Sequence, residues 1–142
     1  MSETTITARW IGPDLQYIST DSKGNTVKMG GDDIAPAQMI LLGLAGCMGM
    51  DTIYVLRKKR LNVEAIEVTV VGYQPEDYPK PFTDVEVKFV ITGRNLPPKA
   101  VERAINLSRD KYCIVGQTLL NPVDVQTSFV ITESGEIEAI AA

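Results

Sequence analysis

Between Ile34 and Met50 the chain carries no charged residue, and Cys47 sits inside that run. Extended to the basic cluster beyond it, the stretch Ala35 to Arg60 (APAQMILLGLAGCMGMDTIYVLRKKR) predicts one long buried helix. Pro36 falls in its first turn, where the N–H that proline lacks would be unpaired anyway. Arg57 to Arg60 (RKKR) close its last turn, where cations suit the negative end of the helix dipole. The uncharged run is short of the roughly 20 apolar residues that a bilayer span needs, and Gln38 and interior glycines interrupt it. The expectation is a core helix. Its apolar residues do not share one stripe: Ile40, Leu41, Leu42, Leu44, Met48, Met50, Ile53 and Val55 ring the helix, more than one sheet can cover. Gly43, Ala45, Gly46 and Gly49 clear a small-residue face, and each interior glycine costs about 1 kcal/mol relative to alanine. Two packings offset that cost: a partner helix close against this face, or the chain's own sheet. The first predicts an obligate homodimer with two central helices held between two sheets.

The rest of the chain reads as strands and shorter helices around this one. Thr4–Trp10, Leu15–Thr20 and Thr26–Met29, rich in β-branched and aromatic residues and separated by Gly-Pro-Asp and Asp-Ser-Lys-Gly-Asn turns, predict an N-terminal β meander. Val63–Tyr73 alternates imperfectly, with Val63, Ala65 and Glu67 on one face and Glu64, Ile66, Val68 and Val70 on the other. Phe82–Thr92 alternates cleanly, with Val85, Val87, Phe89 and Ile91 inward, and the two predict a long antiparallel hairpin. Pro97-Pro98 opens an amphipathic helix over Lys99–Asp110. Ile114–Leu120 predicts one or two helical turns, Val123–Thr132 a last strand, and Glu133–Ala142 a half-ordered tail. Strands, a central helix, then strands and helices again indicate an α+β fold, a single domain over residues 1–142.

What is missing narrows the chemistry. The 142 residues contain no histidine, which removes Ser-His-Asp and Cys-His nucleophile pairs and leaves at most two soft ligands for zinc. Neither a resident metal nor a cofactor is expected. A net charge of −4 gives no general footprint for nucleic acid or an anionic membrane, and RKKR is explained by the helix end it occupies. The start MSETTITARW has no basic or apolar leader character, so a cytoplasmic protein is expected. Two cysteines in such a chain are free or redox-active thiols rather than a secreted disulfide framework.

Each cysteine has two readings. Cys47 is apolar filler in a helix, or a protected thiol kept for chemistry. Asp51 lies one turn further on the same face. A carboxylate in an apolar helix needs a partner, and the expected one is a structural Arg or Lys, from the sheet or the other subunit, in preference to a catalytic role. Cys113 either fills a gap beside Tyr112 or, at the start of a short helix after Lys111, is an activated thiolate. Whether Cys47 and Cys113 come within disulfide range is the observation that separates these readings.

The segment AQMILLGLAGCMGMDTIYVLRKKR together with SRDKYCIVGQTL resembles the OsmC/Ohr family of thiol-dependent peroxide reductases, in particular its small OsmC-like branch, and the resemblance extends over nearly the whole chain. It implies an intertwined homodimer with active sites at the subunit interface. It also implies a Cys47 thiolate that attacks the O–O bond of an organic hydroperoxide, and a Cys113 thiol that resolves the sulfenic acid to a disulfide. A dithiol, often lipoyl-linked, then reduces that disulfide, in oxidative-stress defence. Two positions depart from the family pattern. Ala37 stands where the family has a glutamate, leaving Gln38 beside it as an uncharged hydrogen-bonding substitute. No arginine occurs between Ile11 and Met29, Arg9 being the nearest. These departures support a second reading, a redox-sensing or small-ligand-binding dimer without peroxidase turnover.

Overall fold

A computed structural model describes residues 1–134, 140 and 141. Among these the chain forms the α+β architecture expected from its sequence: a three-stranded meander, a central helix, a two-stranded hairpin and a group of short helices. The meander consists of β1 (Ile6–Trp10), β2 (Tyr17–Asp21) and β3 (Thr26–Met29), paired antiparallel in chain order. The β2–β3 turn is fixed by Asp21, whose carboxylate accepts from the backbone N–H of Lys23 and Asn25 and from the Asn25 side-chain amide. Those bonds hold its pKa below the ordinary carboxylate value.

The central helix, α1, spans Pro36–Lys58, with Pro36 in its first turn and Arg57 and Lys58 in its last. At 23 residues and a mean hydropathy of 1.8 over its most apolar stretch, α1 by length and composition reaches what a bilayer crossing requires. The whole helix, longer than the uncharged run inside it, thus passes a test that the run alone does not. It packs along the hairpin, however, and Asp51 within it is hydrogen-bonded to another element of the same chain.

That hairpin pairs β4 (Asn62–Tyr73) with β5 (Asp84–Arg94). On β5, Val85, Val87, Phe89 and Ile91 turn inward as their alternation requires. On β4 the register shifts between Val63 and Ala65, so Val63 lies on the inner face with Ile66, Val68 and Val70. Strict alternation puts Val63 on the opposite face; a bulge adds one residue and flips everything before it.

α2 covers Pro98–Leu107 with Pro97 as its cap, ending three residues before the predicted Asp110. The backbone then widens into a π-helical turn, Ser108–Tyr112, and α3 occupies Ile114–Leu120. Beyond it, among the described residues, only Val130–Ile131 of the expected Val123–Thr132 strand forms a strand, β6, which pairs with β7 (Ile140–Ala141). Most of the Glu133–Ala142 tail lies outside the described residues.

α1 sits between the hairpin on one side and α2, the π turn and α3 on another. The core centres on Leu44, Met48 and Cys113, with Val70, Val85, Val87, Phe89, Ile105 and Val115 packed around them. The small residues of α1 do not form a single face. A β-carbon on Gly43 would touch Val115 of α3 at 3.7 Å, and one on Gly49 would touch Val68 of β4 at 3.4 Å. Only Gly46 opens onto free space. Both distances are ordinary contacts that a methyl group could make, so packing within the chain does not require glycine at either position. The helix is also not buried all round: Leu42, Met50 and Tyr54 form an exposed stripe, Met50 at 72%.

Candidate functional site

Cys113 belongs to the core cluster and Cys47 packs against it, so the fold brings the two thiols together. Cys47 is half-buried on α1, and Asp51 lies one turn later on the same face, as the 3.6-residue period dictates. Cys113 comes from the other wall, between the π turn and α3, and is fully buried. The two sulfurs and a carboxylate oxygen of Asp51 all lie within 4.8 Å of one another. Cys47 and Cys113 thus meet at one site.

The π turn is what makes the meeting possible. Its closing bond runs from the Cys113 N–H to the Ser108 carbonyl at 2.8 Å, an i→i+5 ring that an α-helix does not contain. On regular α geometry, residues five apart point about 140° from one another. The wider ring turns Ser108 and Cys113 toward the same neighbour, α1. Ser108, itself fully buried, donates its hydroxyl to Asp51 Oδ2 at 2.9 Å. Within one chain the partner of Asp51 is thus a hydroxyl and not a cation from the sheet, and among the described residues Asp51 enters no salt bridge. Ser108 carries a sequence signal that periodicity can find. It stands one turn after the fully buried Ala104, on the apolar face of the amphipathic run.

Cys113 caps α3: its Sγ accepts the Gly116 N–H at 3.2 Å. That bond favours the thiolate, but burial is the larger effect. It pushes the Cys113 thiol up from 9.0 to about 11, and the adjacent Cys47 thiol adds to the rise. The expectation of a thiolate activated by Lys111 fails for this reason, and for another. The Lys111 ammonium lies over the Tyr112 ring, 5.3 Å from its centre. At neutral pH Cys113 is a protonated, protected thiol.

Within one chain Gln38 lies away from the sulfurs. It is exposed in the first turn of α1, more than two turns before Cys47, and its Oε1 accepts the Ala35 N–H at 3.2 Å. Ala35 offers no side-chain cap of its own, so Gln38 serves the helix end.

Beside the thiols lies an open, mainly apolar pocket of about 460 Å³. Leu44 and Met48, flanking Cys47 on α1, line it together with Val87, Phe89 and Ile105, as does Gly116, which binds the Cys113 sulfur. Arg109 lines it as well, while pairing with Asp110 at 3.7 Å.

Residues 29–128, which include both thiols, Asp51 and Ser108, match the family model described as OsmC-like protein. The chain belongs to the OsmC-like family. Protein YhfA of Escherichia coli K12 is 32% identical over 127 residues, covering 87% of this chain and 94% of that protein. A hypothetical protein from Aquifex aeolicus VF5 superposes with a TM-score of 0.77 at 28% identity, over 84% of this chain and 89% of its own. The organic hydroperoxide resistance protein OhrB of Bacillus subtilis shares the fold at a TM-score of 0.55 and 19% identity, over 88% and 96% of the two chains. The OsmC-like fold of this chain is thus established by sequence and by architecture together.

Proposed function

We propose that this OsmC-like protein is a thiol-based reductase of organic hydroperoxides, active in oxidative-stress defence. The observation that carries the reading is the closeness of two free thiols, far apart in sequence, with sulfurs within 4.8 Å of each other. Family membership and the shared fold with a protein named for organic hydroperoxide resistance support it.

Cys47, the sulfur nearer to solvent, is the attacking thiolate. It attacks the distal peroxide oxygen and breaks the O–O bond, taking that oxygen as sulfenic acid while the alkoxide leaves and collects a proton as the alcohol. The Cys113 thiol then attacks the Cys47 sulfur, forming the disulfide and expelling the oxygen as water. A dithiol, for which a lipoyl group has the right chemistry, returns both cysteines to thiols. The adjoining apolar pocket suits the organic part of the hydroperoxide, which favours alkyl peroxides over hydrogen peroxide. A buried, protonated Cys113 fits a resolving role, because it is kept from reacting until a sulfenic acid forms beside it.

The working molecule is a homodimer in this reading. The exposed Leu42–Met50–Tyr54 stripe and the apolar side chains on the meander supply the surfaces for it. Two free thiols suit a reducing compartment such as the cytoplasm. Reduced protein mixed with an alkyl hydroperoxide and excess dihydrolipoamide is the test. Catalytic loss of peroxide is expected, together with its abolition in Cys47→Ser. Equal inactivity of wild type and variant would leave the second reading, a redox sensor whose disulfide forms without turnover. The uncharged partners of the site, Ser108 and the Gly116 N–H, favour that alternative.

A further inference from the structure

We propose that the reduced site binds one soft divalent cation of the zinc class through Cys47, Asp51 and Cys113. Two sulfurs and one carboxylate oxygen form a donor set that zinc accepts in tetrahedral sites, with Zn–S near 2.3 Å and Zn–O near 2.0–2.2 Å. Around such an ion the donor atoms stand roughly 3.5–3.8 Å apart. Here all three already lie within 4.8 Å of one another, so closing on a metal takes side-chain adjustment and no rearrangement of the backbone. Two of them, Cys47 and Asp51, are presented one turn apart on a well-packed helix, and the third enters from the opposite wall.

Charge points the same way. Asp51 is a carboxylate among apolar neighbours, hydrogen-bonded to Ser108 and engaged in no salt bridge among the described residues. A partly buried anion beside two ionisable thiols calls for positive charge, which a divalent cation supplies. The surrounding hydrogen bonds are those that steady metal ligands. The Ser108 hydroxyl orients the carboxylate at 2.9 Å, and the Gly116 N–H points at the Cys113 sulfur at 3.2 Å.

Binding forms two metal–sulfur bonds and one metal–oxygen bond and releases the two thiol protons to solvent. No electrons move, and water completes the fourth position on the half-exposed Cys47 side. The bound ion occupies the same sulfur lone pairs that attack a peroxide or form a disulfide. Metal-bound and oxidised forms therefore exclude each other. Metal binding of this kind goes beyond peroxide reduction and needs only that both thiols be reduced.

The test is a titration of metal-free, fully reduced protein with cadmium, whose thiolate bonds give an ultraviolet charge-transfer band, followed by competition with zinc against a chromophoric chelator. One cadmium per chain is expected, displaced by zinc, with no binding to the Cys47–Cys113 disulfide form. Ser108→Ala is expected to weaken zinc binding about 10–100-fold, and Asp51→Asn to weaken it further. Cys47→Ser, at a half-exposed position, is expected to abolish stoichiometric binding while its circular dichroism stays that of wild type. No charge-transfer band at one equivalent of cadmium, or undiminished zinc binding in Asp51→Asn, overturns the proposal. Peroxide consumption by the metal-free protein is measured alongside. Turnover without cadmium binding removes only the metal site, and cadmium binding without turnover removes only the peroxidase.

Discussion

At the scale of single residues, burial decides what the two cysteines are. Cys113 has no solvent exposure, and its thiol is raised from 9.0 to about 11. Between those values the unfolded chain has lost the Cys113 proton while the folded chain keeps it, so stability falls as pH rises from about 9 toward 11. Urea unfolding at pH 8 and at pH 10.5 is expected to show this loss, and Cys113→Ala, though less stable at both, to show a flatter slope over the same interval. Thr52 offers a separate check. Its hydroxyl is fully buried on α1 with no hydrogen-bond partner among the described residues, a desolvation cost without return. Thr52→Val is expected to raise the free energy of unfolding by about 1 kcal/mol, read from the urea midpoint. Both cysteines and Asp51 stand out in the sequence through their chemical oddity in apolar surroundings. Ser108 is marked by its period as a buried position, but not as their partner. Nothing local in SRDKYC says that a serine, and no cation, will face Asp51, because that depends on a π turn created by tertiary packing.

Among elements, legibility tracks how strictly a period is enforced by burial of one face and exposure of the other. β5 alternates cleanly because one face packs and the other meets water, and its inward residues agree with its sequence. β4 carries the same signal until the bulge near Val63, where one inserted residue defeats a period of two. α1 is legible from its composition and its ends, but its glycines do not share the single face that their spacing suggests. Gly43 faces α3, Gly49 faces β4, and only Gly46 lies open, next to Met50 and Leu42. Of Val123–Thr132 only Val130 and Ile131 pair with a strand among the described residues, because β-branched content favours a strand without supplying its neighbour. The open stripe on α1 yields a prediction at this scale. Met50→Asp places a charge where the proposed partner helix would sit. Sedimentation is expected to show a dimer for wild type and a monomer for the variant, with the helical circular dichroism unchanged. A wild-type protein that sediments as one chain contradicts the homodimer.

For the whole molecule, the arrangement of the described elements explains why the thiol site sits where it does. The hairpin, α1 and the short helices make one body whose core contains Cys113 and borders Cys47. The meander makes no substantial contact with that body and exposes Ile6, Trp10 and Val27. A three-stranded sheet with uncovered apolar residues on it is a surface in want of a cover, which a second copy of the chain would provide. Chemistry and assembly are thereby linked in this reading, since the same α1 that carries Cys47 and Asp51 carries the open stripe close beside them, Met50 and Tyr54 each lying about one turn from one of the two.

If Cys47 and Cys113 act as a pair within one chain, a peroxide must consume both. The most direct measurement is a count of free thiols, with disulfide mapping by mass spectrometry, after reduced protein meets one equivalent of an alkyl hydroperoxide. Both thiols of each chain are expected to disappear together into an intramolecular Cys47–Cys113 disulfide. Two thiols still free, or Cys47 carried on to sulfinic acid while Cys113 stays reduced, would contradict the pairing.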